Sequence, residues 1–295
     1  LLIPNSPKEC FDFAAMSFDL AEQLQTPVII LSDLDLGMND HVSDALEWKS
    51  TTQYRRGKVL SADQLDQIGR FGRYLDTDGD GIPYRTIPGT HPTKGSFFTR
   101  GSSRDEYAIY TEDGNAYKRN MDRLLKKWET IKSYVPKPEL LQSEANANMG
   151  MLFFGTSHFS SVEARDILAK EGIELDAIRL RSFPFSQEVS DFIEDHELIF
   201  VIEQNRDAQF RSLLINELEI NPKKLVKVLN YDGMPITARN IRQQMTAVLK
   251  DKNQLVGNNN IGLDLENHPF FNNKTLLTLP EIQVEAKPKN KEKTV

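Results

Sequence analysis

The sequence predicts an α/β protein, on three observations. Apolar runs at residues 149–154, 175–180, 198–202 and 225–229 alternate with segments of helical period. An amphipathic stretch over residues 6–24 leads into the continuous run Val28-Ile29-Ile30-Leu31. Between residues 76 and 113 both periods vanish and Gly, Pro, Thr and charge take over. With 295 residues the chain can form one large domain or two ordinary ones.

The elements follow in order. Ser6-Pro7-Lys8-Glu9 is a capping box with proline at the first helical position. Phe11, Ala14, Ala15, Phe18, Ala21 and Leu24 continue it at helical spacing, and Pro27 ends the helix. The run at 28–31 predicts a strand buried on both faces of a parallel sheet. Ser32, Asp33, Asp35 and Gly37 follow at its carboxyl end, where ligands of open α/β sheets bind. A short helix is expected over 61–71. After the loop comes an amphipathic helix over 114–133, with Met121, Leu124, Leu125, Trp128 and Ile131 on its apolar face. Residues 135–148 read as a linker. The second pattern of strands and helices, including a capping box at Ser160-Ser161-Val162-Glu163, implies a parallel sheet. A last helix is expected over 237–250. Beyond it Asn258-Asn259-Asn260 and the lysine-rich end resemble a tail, in which Phe270, Phe271, Leu276 and Leu277 could dock.

Composition excludes several classes. Net charge is -7, which argues against nucleic acid or an anionic membrane as main partner. The basic stripe Lys118, Arg119, Arg123, Lys126, Lys127 and Lys132 reads as a solvated helix face. Mean hydropathy is -0.47 and no apolar run approaches the ~20 residues of a membrane span, so a soluble, cytoplasmic chain is expected. Cys10 is the only cysteine, which rules out an internal disulfide and a cluster held by this chain's own thiolates. The five histidines lack metal-ligand spacing, so no metal site is expected from them.

The loop carries the chemistry. Asp76-x-Asp78-x-Asp80-Gly81 matches the first half of a calcium hand, but Ile87 stands at the twelfth position and Pro83 at the eighth. A polar turn fits better. A non-enzymatic, calcium-tuned interaction module built on Asp76–Gly81 is the competing class. Arg85, His91, Lys94, Arg100 and Arg104 crowd the same segment. Guanidinium groups grip carboxylates through paired hydrogen bonds, so Arg85, His91 and Arg104 are the candidate substrate-binding residues. The structural alternative pairs these bases with Asp105, Glu106, Glu112 and Asp113. Gly155-Thr156-Ser157 follows a strand and its amides could meet an anion.

As an ordered set these motifs resemble a known family. They are Thr26–Asp33 with Leu36-Gly37, the 76–113 loop, Gly155-Thr156-Ser157, Phe183-Pro184-Phe185, Val201–Asn205 with Gln209, and Asp232–Thr237. Over residues 1–250 the chain is similar to the alpha subunits of 2-oxoacid:ferredoxin (acceptor) oxidoreductases, in the 2-oxoglutarate-like branch. The resemblance implies the later part of a thiamine-diphosphate pyrimidine-binding domain over 1–145, with a loop-rich extension. It implies a transketolase-C-like parallel α/β domain over 146–251 and a largely irregular tail over 252–295. Oxidative decarboxylation of a 2-oxoacid with CoA, electrons passing to ferredoxin, is the implied reaction, or its reverse. Thiamine diphosphate and Mg²⁺ would be shared with a beta subunit that carries the iron–sulfur cluster. An indolepyruvate or branched-chain 2-oxoacid enzyme is the other member of that superfamily to weigh.

The resemblance also sets limits. The main cofactor-activating residue is expected upstream of Leu1, so the chain reads as amino-terminally truncated and no catalytic residue is assigned. Gly79-Asp80-Gly81 imitates a diphosphate motif but follows Gly72-Arg73-Tyr74-Leu75 rather than a buried strand. Arg104 stands where relatives often have His, so no role of that histidine carries over. Ala208 stands where many relatives have Gly. Glu203-Gln204-Asn205, at a strand end, falls in a domain expected to be architectural.

Overall fold

Six consecutive residues of the strand Leu198–Glu203 are buried, which requires cover on both faces of the sheet that holds it. The computed structural model describes residues 1–48, 53–143 and 147–257, with side chains to 250. Its sheet contains β1 (Glu139–Leu141), β2 (Met149–Phe154), β3 (Asp176–Leu180), β4 (Leu198–Glu203) and β5 (Leu225–Leu229) in the order β1-β3-β2-β4-β5. β2 to β5 are parallel and β1 is antiparallel to β3.

One face packs on α5 (Ser157–Lys170) and α8 (Ala238–Gly257) through Met151, Phe153, Leu168, Phe200, Ile241 and Met245. The other packs on α6 (Gln187–Asp195) and α7 (Gln209–Leu218) through Leu152, Ile178, Phe192, Val201 and Leu214. Chain order reverses at β2, since β3 lies on one side of it and β4 on the other. The crevice between the carboxyl ends of β2 and β4 is therefore a topological switch point.

A third core lies beside this sheet. α1 (Pro7–Leu24) is capped by Ser6, whose hydroxyl accepts from Glu9 N at 3.3 Å, with Pro7 at the first position. α4 (Gly114–Ile131) is capped by Asp113, whose carboxylate accepts from Asn115 N and Ala116 N. Phe13, Leu20 and Leu24 meet Ile82, Ile131 and Val135 between them. Trp128 reaches the far side, its ring 5.3 Å from Phe183 just after β3.

Several sequence expectations are corrected. Residues 28–31 are not a strand buried on both faces: Ile29 is 58% and Leu31 45% exposed, and Ile30 makes a single bridge to Leu2. An apolar run records hydrophobicity, not whether neighbouring strands flank it. The linker expected at 135–148 contains β1, too short for a period to show. α5 starts at Ser157, so the capping box at Ser160 lies inside it, and the Ser160 hydroxyl donates to Ile236 O at 2.6 Å instead. The expected helix at 61–71 is the shorter α3 (Ala62–Gln67), with a complete capping box at Ser61.

The inward face of α4 is also different. Ala116, Asn120, Lys127 and Ile131 are buried, whereas Leu125 is 67% exposed. Lys127 is tolerated inside because its Nζ donates to the carbonyls of Leu24 at 2.8 Å and Gln25 at 3.1 Å. α8 runs to Gly257, past the expected end at 250. The tail residues Phe270, Phe271, Leu276 and Leu277 lie outside the described residues.

Candidate functional site

The aspartate turn closes around an ammonium group rather than a metal. Lys58 Nζ lies 2.8 Å from Asp78 Oδ2 and 2.7 Å from Asp80 Oδ2, and donates to Ile82 O at 3.0 Å. Burial opposes the Lys58 charge, but Asp78 and Asp80 outweigh it and raise its pKa. Burial likewise opposes the Asp80 carboxylate, and the bonds from Lys58 and Ile82 N outweigh it and lower its pKa. Asp76 accepts from Gly79 N at 3.0 Å, as expected of a polar turn. No cluster of three or more His, Cys, Asp or Glu suited to a metal occurs among the described residues. The turn docks on α4 at Gly81, where φ is +79° and an added Cβ would clash with Lys127 N.

The three candidate substrate residues occupy three separate settings. Arg85 bridges to Val59 and donates to the Glu22 carboxylate and to Arg56 O, the latter at 2.9 Å. His91 Nδ1 accepts from Thr93 N at 3.1 Å and Lys94 N at 2.9 Å. That places its ring proton on Nε2, which donates to Asp66 Oδ1 at 3.2 Å. Lys94, and less strongly His91, hold the Asp66 carboxyl below its usual range. His91 and Lys94 line a cavity of about 360 Å³ with Thr86 and Phe97. Arg104 donates to Gly101 O at 3.1 Å and lines a different cavity against α4.

The acidic partners considered for these bases are engaged elsewhere. Glu106 pairs with Arg119, Asp105 accepts from Tyr107 N and Ile109 N, and Asp113 caps α4. Glu112 accepts from Tyr110 Oη at 2.6 Å.

At the switch point an anion does meet the Gly155-Thr156-Ser157 turn, and it is Asp33. Its Oδ2 accepts from Thr156 N at 3.0 Å and Thr156 Oγ1 at 2.6 Å, while Oδ1 accepts from Leu36 N at 2.9 Å. Gln204 Nε2 reaches Thr156 Oγ1 at 3.2 Å, and Gln204 Oε1 accepts from Ile236 N at 2.9 Å. A cleft of about 530 Å³ opens above these groups, between α2 (Leu34–Met38), which Asp33 caps, and the loop over 230–235. Asp33, Thr156 and Gln204 are already bonded to one another or to backbone, and the lining also holds Asp35 and Asn39 beside the exposed apolar Leu34, Met38, Tyr231 and Met234.

Two further polar centres are structural: one at Glu203, named in the sequence only as a strand end, and one at Arg179, which no pattern marked. Glu203 is buried at the end of β4 and accepts from Phe210 N and Arg211 N, so it caps α7. Ala208 enters that helix at φ 50°, ψ 49°, the left-handed region that favours Gly. On β3 the buried Arg179 donates to both oxygens of Glu9 and both of Glu139, at 2.6 to 2.8 Å. Burial alone would raise the Glu9 pKa, but Arg179 and Arg181 lower it. Asp33 and Thr156 were each legible as candidate polar residues at strand ends. Nothing in the order of residues says that they touch.

Comparison with known proteins adds the following. No protein-family model matches the chain. It is 28% identical over 248 residues to 2-oxoacid:ferredoxin oxidoreductase 2, subunit alpha, of Aeropyrum pernix, covering 82% of this chain and 37% of that protein. It is 24% identical over 238 residues to the 2-oxoglutarate synthase subunit KorA of Methanothermobacter marburgensis, covering 75% and 58% respectively. A solved structure, 2-oxoglutarate:ferredoxin oxidoreductase from Magnetococcus marinus with 2-oxoglutarate, coenzyme A and succinyl-CoA bound, matches with a TM-score of 0.70 at 21% identity. That match covers 83% of this chain and 41% of the other, and it shows the fold. The chain thus spans between 37% and 58% of the length of these relatives.

Proposed function

We propose, on the premise that this chain is related to the alpha subunits of the 2-oxoacid:ferredoxin oxidoreductases, that it serves in an enzyme of that kind. The reaction is oxidative decarboxylation of a 2-oxoacid, with 2-oxoglutarate first in order. The 2-oxoacid loses CO₂, its acyl group passes to CoA, and two electrons leave for ferredoxin. The same site can run in reverse. The observation that carries this reading is the match to such a subunit along 82% of the chain.

The division of labour follows from what the chain holds. Its single Cys leaves the iron–sulfur cluster to a partner, here a beta subunit. The described residues do not fit the Mg²⁺–diphosphate end of thiamine diphosphate. The one turn that imitates such a motif is filled by Lys58, and no metal cluster is present among them. No chemical step is therefore derived through that cofactor; it belongs, in this reading, between this chain and the beta subunit. The pyrimidine-binding part occupies 1–145 and the transketolase-C-like part 146–251. Arg85, His91 and Arg104 are the proposed substrate contacts, and a cytoplasmic location fits the reaction. Lys58 within the aspartate turn disfavours the calcium-module alternative.

The test uses the native assembly that contains this sequence, assayed by viologen reduction with thiamine diphosphate, CoA and a panel of 2-oxoacids. CoA-dependent reduction with 2-oxoglutarate is expected, and none from the purified 295-residue chain alone. Turnover by the isolated chain, or an assembly inert toward every 2-oxoacid, would refute the proposal.

A further inference from the structure

Three guanidinium groups surround one tyrosine ring. The Cζ atoms of Arg73, Arg104 and Arg123 lie 5.2, 5.7 and 5.9 Å from the centre of the Tyr74 ring. Among the described residues none of the three forms an ion pair. The carboxylates around them are committed: Asp76 to Gly79 N and Lys126, Glu106 to Arg119, Asp105 to backbone amides. Burial and then Arg73 work against the Arg123 charge, with Asp76 the weaker opposing influence. Ring faces alone offset like charges held this close only in part.

The same place holds unused donors and a space. Arg123 Nη1 donates to Gly81 O at 2.8 Å, but its Nε is buried without a partner, as is Ser103 Oγ. Both residues line a cavity of about 120 Å³ with Tyr74, Arg104, Tyr117 and Asn120. Asn120 Nδ2 donates to Arg104 O at 2.7 Å, which fixes the loop against α4. The walls are thus held by bonds that leave two buried donors and two unpaired cations beside the space.

We propose that this cavity is a binding site for a single oxyanion group, the carboxylate or phosphoryl group of a small ligand. Arg104 and Arg123 bind it through charge-assisted hydrogen bonds, and Ser103 donates a further one. In the sequence Arg123 counts only as one member of a basic stripe read as a solvated face, a reading that its buried Nε corrects. The assignment does not depend on the oxidoreductase reading, because it is read by binding rather than turnover.

The experiment is calorimetric titration of the full chain with inorganic phosphate and, separately, with glutarate at low ionic strength. Saturable binding of at least one is expected. Arg104→Gln and Arg123→Gln should each weaken it about 10-fold or more, and Ser103→Ala less. Arg206→Gln, which removes an exposed pair with Asp207, should leave it unchanged. Binding of phosphate alone assigns a phosphoryl ligand and binding of glutarate alone a carboxylate; either supports the site. Should Arg123→Gln lose its circular dichroism signal, Arg123→Lys and Ser103→Ala carry the test, since Lys keeps the charge without the fork. No saturable heat from either anion, or parental affinity in the Arg104 and Arg123 variants, would overturn the proposal.

Discussion

Lys127 shows how much one residue can join. Its ammonium closes the carboxyl end of α1 through the Leu24 and Gln25 carbonyls while its own helix backbone seats Gly81. Burial, then Arg123 and Arg73, lower its pKa to about 8. In the unfolded chain the group returns to about 10.5, so above pH 8 the unfolded state binds the extra proton and stability rises with pH until about 10.5. Below pH 8 both states are protonated and this contribution is flat. The urea midpoint should therefore climb between pH 8 and 10 in the parent. In Lys127→Met the climb should be smaller, on a baseline lowered by ~1–3 kcal/mol for two orphaned carbonyls. Identical pH slopes in the two proteins would show that Lys127 keeps its ordinary pKa. At Arg85 and Arg104 the question is function. If an arginine grips the distal carboxylate, its Gln variant in the assembly should raise the KM for 2-oxoglutarate about 10- to 150-fold and spare pyruvate. Arg85 would have to leave Glu22 to do so, whereas Arg104 has no carboxylate partner among the described residues. Equal losses on both substrates would assign a structural or CoA-binding role.

At the scale of elements, the loop over 76–113 is held by contacts with α4 rather than by a ladder of its own. Thr130 Oγ1 donates to Asp80 O at 2.7 Å, Arg123 Nη1 reaches Gly81 O, and Gly81 packs against the helix backbone. Gly81→Ala meets both a left-handed φ and three backbone atoms within 2.7 Å. The turn must lift from α4, so the variant should lose at least ~2 kcal/mol and the protease protection of the loop. Gly89→Ala, also at positive φ but in open space, should cost no more than ~1–2 kcal/mol. Equal losses at the two positions would mean that φ strain dominates and that the close approach is unimportant. Much at this scale was legible. α1, α4 and the four parallel strands stand at or near the expected positions because apolar period is a local property. The strand expected at 28–31 and the polar inward face of α4 were not, because each depends on groups brought in from elsewhere in the chain.

Polar contacts join the first part of the chain to the sheet, among them Asp33 with Thr156, Arg179 and Arg181 with Glu9, and the backbone bonds of Leu1 and Ile3 with Phe183 and Arg181. The first fills the switch-point crevice, where sheets of this topology bind ligands, with a carboxylate of the same chain. A double-mutant cycle of Asp33→Ala and Thr156→Val should give a coupling of about 1 kcal/mol or more in urea unfolding. Additive losses would show that the joint contributes nothing. The sequence by itself determined the alternation of strands and helices, the long irregular loop, the half-formed calcium motif and the lack of thiols for a cluster. All of these reside in a residue's identity or in spacings of a few positions. Only the tertiary structure decided that Lys58 takes the cation's place between Asp78 and Asp80, and that Asp33 is the anion at Thr156, 123 positions away. The gathering of three arginines at Tyr74 was decided there too. Hydrophobic burial repeats with the period of the local backbone and so leaves a pattern in the chain. Charges and hydrogen bonds pair wherever folding brings them within about 3 Å, and that distance is written nowhere in the order of residues.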